Sequence, residues 1–60
     1  MNTYKRNDFD YYYDEHSKCL VLTYNGYDVH SASYANKPHD LQKAFKMLRE
    51  HYLRLVKKGQ

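Results

Sequence analysis

The 60-residue chain reads as an α+β domain in which three antiparallel strands precede one amphipathic C-terminal helix, the order βββα. Three observations predict this class. Asn25-Gly26 separates two runs of β-favouring residues, Asp14-Glu15-His16-Ser17 interrupts a preceding aromatic run, and apolar residues recur at helical spacing from Leu41 to Val56.

The Asn-Gly pair is the strongest local signal, because a two-residue type I′ turn needs positive φ at both central positions and these residues adopt it at least cost. A hairpin with arms Lys18–Tyr24 and Tyr27–Ala32 follows, pairing Tyr24 with Tyr27, Leu22 with Val29 and Leu20 with Ser31. Alternation then puts those six residues on one face and leaves Cys19, Val21, Thr23, Asp28, His30 and Ala32 on the other. Phe9–Tyr13 is the first strand. An even-numbered loop sets Tyr11 opposite Leu20 and Phe9 opposite Leu22, so two separate turns agree on one core face. The meander spans 8–32, and residues 1–7 are expected to fray.

The helix is expected over 38–58. Pro38 suits a first helical turn, and Asp40 suits either the cap or the positive end of the helix dipole. Leu41, Ala44, Phe45, Leu48, Tyr52, Leu55 and Val56 form one apolar stripe, which the sheet covers. Lys57 and Lys58 place cations at the negative end, and Gly59 supplies a stop.

Length and composition exclude several function classes. A chain this short forms a single small domain with a thin core. Cys19 is the one cysteine, so neither an internal disulfide nor a cysteine-based zinc finger fits. No apolar run is long enough for a membrane span, so no membrane association and a cytoplasmic location are expected. No phosphate-binding glycine loop, nucleophile elbow or metalloprotease helix motif is present, and an enzyme is not expected. The acidic residues Asp8, Asp10, Asp14 and Glu15 are read as solvated strand and turn positions. His16, His30, His39 and His51 share no ligand-like spacing with each other or with Cys19, so neither metal nor cofactor is expected.

What remains is charge and aromatic surface. Residues 1–38 carry four basic and five acidic side chains, residues 39–60 six basic and two acidic, so the net charge of +3 comes from the helix. Lys43, Lys46, Arg54 and Lys57 share the helix face opposite the stripe with Glu50, which is placed to pair with Arg54 and Lys46. With Arg49 and Lys58 these cations form a candidate phosphate-binding row, and Tyr12, turned away from its neighbours Tyr11 and Tyr13, is a candidate base-stacking ring. The expected partner is DNA or RNA, bound by a small accessory protein. The alternative is a protein-binding regulator or inhibitor, acting as a homodimer through Tyr12, Val21 and His30 of the outer sheet face and through Met47 and Leu53, which are read as apolar residues on the outer helix surface.

Overall fold

Asn25 and Gly26 take φ values of 51° and 88°, which gives the expected type I′ turn. It joins β2 (Cys19–Tyr24) to β3 (Tyr27–Ser33) with Tyr24 opposite Tyr27. β1 (Phe9–Asp14) lies along the other side of β2, and α1 (Leu41–Lys58) follows the sheet, so the fold is βββα. A computed structural model describes residues 4–58, the side chain of Lys58 excepted. The Gly59 stop, the Lys58 side chain and positions 1–3 of the expected frayed end lie outside the described residues.

The first hairpin keeps the expected face but slips by two residues. Tyr13 stands opposite Leu20, Tyr11 opposite Leu22 and Phe9 opposite Tyr24. The loop is Glu15–Lys18 rather than Asp14–Ser17. Asp14 stays in the strand and its Oδ1 accepts the His16 amide at 2.9 Å, while Lys18 takes a left-handed φ of 58° to close the loop. A slip of two leaves every side chain on its own side. Phe9, Tyr11 and Tyr13 therefore still face Leu20 and Leu22.

In the second hairpin the expected pairing of Leu22 with Val29 is not found. A bulge opposite Leu22 and Thr23 leaves Val29 without a partner, sets His30 opposite Leu22, and continues with Ser31 opposite Val21 and Ala32 opposite Leu20. One inserted residue reverses the faces beyond it. His30 and Ala32, expected outside, turn to the helix side, and Ser31 turns out to solvent.

The helix starts at Leu41, three residues later than expected, because Asp40 is its cap. The Asp40 side chain accepts the Lys43 amide at 3.0 Å and its carbonyl accepts the Ala44 amide at 3.1 Å. Pro38 lies in the preceding loop, outside the first turn. Phe9, Leu20, Leu22, Ala44, Phe45 and Leu48 form the buried core, with Leu20 and Leu22 fully enclosed.

Residues 4–8 are ordered against this core rather than frayed. Arg6–Asp8 makes one 3-10 turn, the Asn25 amide reaches the Asp8 carbonyl at 3.2 Å, and the Tyr4 ring packs edge-on against Tyr24 and Tyr52. This strap reaches Glu50 and Tyr52 of α1. Leu53, expected on the outer helix surface, is half-buried and packs against the core. Leu55, expected under the sheet, is instead 44% exposed.

Candidate functional site

The outer face of α1 carries Lys43, Lys46, Arg54 and Lys57, all exposed. Spacings of three, eight and three residues keep them on one side of a helix, spread over about 21 Å of its axis. None has a carboxylate within ion-pair distance among the described residues, whose ion pairs are Arg6–Glu50, Arg49–Glu50 and Lys37–Glu15. The expected pairing of Glu50 with Arg54 and Lys46 is absent. Arg6 takes Glu50 from outside the helix, its Nε and Nη2 each donating at 2.8 Å to a different carboxylate oxygen. The fork geometry explains the preference, since a guanidinium matches both oxygens and an ammonium matches one. Two shallow grooves flank the row, one lined by Lys46, Met47, Glu50, His51 and Arg54, the other by His51, Arg54, Leu55 and Lys57.

Arg49 does not join this row. Its guanidinium lies over the Phe45 ring at 5.3 Å, Phe45 stacks in turn on Tyr11 at 4.8 Å, and Nε donates to Glu50 at 3.3 Å. It is a packing residue that steadies the one acidic group on the basic face.

The hydrogen bonds from Arg6 hold the Glu50 carboxyl down at about 2, against an ordinary value of 4.5. A depressed carboxylate stabilises the fold while charged, so its contribution is complete above about pH 4.5 and disappears as pH falls toward 2. We therefore expect Arg6→Gln to lower the urea midpoint at pH 6.5, and the gap from wild type to close by about pH 2. A gap that does not change with pH would show that Arg6 acts through packing alone.

The sheet face turned away from α1 is different in character. Tyr12 donates from its hydroxyl to Asp28 Oδ2 at 2.9 Å. This bond runs from β1 to β3 across the central strand, so the ring crosses β2 beside Val21, its direct partner in the ladder. Val21 is buried on a face that no helix covers, and the Tyr12 bridge accounts for it. Asp10, Asp14 and Asp28 share that face, and no strand residue on it is basic. Tyr12 therefore stands on the acidic side of the molecule, apart from the cations it was grouped with in the stacking reading.

The residues of the protein-binding alternative are also dispersed. Tyr12 and Val21 lie on the outer sheet face, His30 and Leu53 face or flank the packed seam between sheet and helix, and Met47 is exposed on α1. Among the described residues no group of three or more His, Cys, Asp or Glu side chains converges as a metal site. The Cys19 thiol sits 3.7 Å from the Ser33 hydroxyl and 3.5 Å from the Ser17 carbonyl, with no base beside it. No described helix is long and apolar enough to cross a membrane. No protein-family model, no curated protein and no solved structure matches the chain.

The sequence pattern missed Arg6. Nothing local marks it, because its partner lies 44 residues away and the strap that carries it has no periodicity. Its effect on the site is nevertheless large, since it neutralises Glu50 and leaves the four helix cations without an acidic competitor.

Proposed function

We propose that this protein is a non-enzymatic accessory factor that binds a nucleic-acid backbone, DNA or RNA, through the outer face of α1. The observation that carries the reading is the sequestration of Glu50 by Arg6, which leaves Lys43, Lys46, Arg54 and Lys57 unpaired along one side of the helix. The opposite, acidic sheet face orients the molecule, since a polyanion is attracted to one side and repelled from the other. The row matches the rise of about six base pairs, and contacts of this type position a protein without reading sequence.

Salt tests this directly. Four phosphate contacts give a slope of about −3.6 in log K against log salt on duplex DNA, and a shallower one on single strands. Fluorescence anisotropy with short labelled duplex and single-stranded oligonucleotides, from about 20 to 200 mM salt, measures it. Absence of binding at the lowest salt would overturn the proposal.

A further inference from the structure

We propose that His30 and His51 form a two-histidine chelate for a borderline divalent transition-metal ion, of the class of Ni²⁺, Cu²⁺ or Zn²⁺. The bulge in β3 re-aims His30 from the open sheet face to the helix side, where its ring centroid lies 5.9 Å from that of His51 on α1, with the ring planes at 37°. Two imidazoles on one metal at about 2.0–2.1 Å place their ring centres about 4.5–5.2 Å apart for bond angles between square and tetrahedral. The pair is thus within about 1 Å of a chelating separation. His51 is exposed and free to make up the difference, while His30 is half-buried and packed near the Tyr52 ring, with the ring centres 5.5 Å apart. One preset ligand and one mobile ligand, open to water, suit an ion that keeps solvent in its remaining positions.

The surroundings set the strength. The Tyr52 hydroxyl is engaged by Tyr4 at 3.2 Å, Arg6 and Arg49 hold the Glu50 carboxylate, and Arg54 and Lys57 share the groove with His51. Among the described residues no third protein ligand is at hand, and the nearby cations weaken binding, so the site is a modest one. Its consequence is structural: a metal bridging β3 and α1 staples the sheet to the C-terminal half of the helix in a chain that has no disulfide to do so. The metal site stands independently of nucleic-acid binding.

Thermal unfolding of the whole chain with about 1 mM Ni²⁺ at pH 7.5 is expected to raise Tm by about 6–11 °C, if the ion stands near tenfold above its dissociation constant. EDTA should reverse the rise. His51→Asn and His30→Asn should each lose the rise, and the His16→Asn/His39→Asn double variant should keep it. In the unaltered protein, Cu²⁺ should broaden the His30 and His51 ring resonances before those of His16 and His39, a readout that needs no variant to fold. An equal Tm rise in His51→Asn, no rise in wild type, or broadening centred on other histidines would each overturn the assignment.

Discussion

Replacing Leu22 by alanine should leave the domain largely unfolded at 25 °C. Leu22 is fully enclosed at the centre of β2, between Tyr11 of β1 and His30 of β3 in the ladder and under the helix. Truncating such a side chain costs about 3 kcal/mol, the sum of lost transfer energy and the cavity left behind. A 60-residue chain has little to set against that, because a core of this size rarely supplies more than about 3–5 kcal/mol in total. Circular dichroism through a urea titration measures the loss. Met47→Ala, at an exposed helix position, should stay within about 0.5 kcal/mol of wild type. A Leu22→Ala protein with a wild-type urea midpoint would mean that the core lies elsewhere.

The second large effect is on binding. Lys46→Glu/Arg54→Glu reverses two of the four unpaired cations, and neither residue is buried, so the fold should survive intact. Each lost phosphate contact removes about 0.9 from the salt slope and about one decade of affinity near 50 mM salt. Nucleic-acid binding should therefore weaken by about 100-fold or more, with the slope falling below about half its original size. Asp10→Lys/Asp28→Lys on the opposite face should not weaken binding. If Asp10→Lys/Asp28→Lys strengthened binding by as much as Lys46→Glu/Arg54→Glu weakened it, binding would follow net charge and not this face.

Most of the fold was readable because its signals are local. The Asn25-Gly26 turn, the alternation in Phe9–Tyr13 and the stripe from Leu41 to Tyr52 each depend on neighbours within a few residues. The parity of the first hairpin also survived, although its register did not, because loops of equal length starting at Asp14 or at Glu15 satisfy the same hydrophobic pattern. The bulge at Val29 left no such mark. The regular pairing puts Val29 against the core and the bulged one puts both Val29 and Ala32 there, and the choice rests on three-dimensional packing.

The site was legible only in part. The cations of α1 follow from helical spacing, but whether they are free of Glu50 depends on Arg6. Contacts such as Tyr4 with Tyr52 and Arg6 with Glu50 join positions 48 and 44 residues apart, and no periodic pattern encodes them. Asp40 illustrates the opposite case. Its two readings, cap or dipole partner, differ by one hydrogen bond, and the bond to the Lys43 amide decides between them.

The exposed cations of α1, and not the sheet, are expected to meet the nucleic acid. An amide chemical-shift titration of the labelled protein with a short duplex at low salt tests this most directly. The predicted result is a set of shifts concentrated at Lys43, Lys46, Met47, Arg54 and Lys57, with Tyr12, Val21, Thr23 and Asp28 unmoved. Shifts centred on the outer sheet face, or no shifts at all, would contradict it.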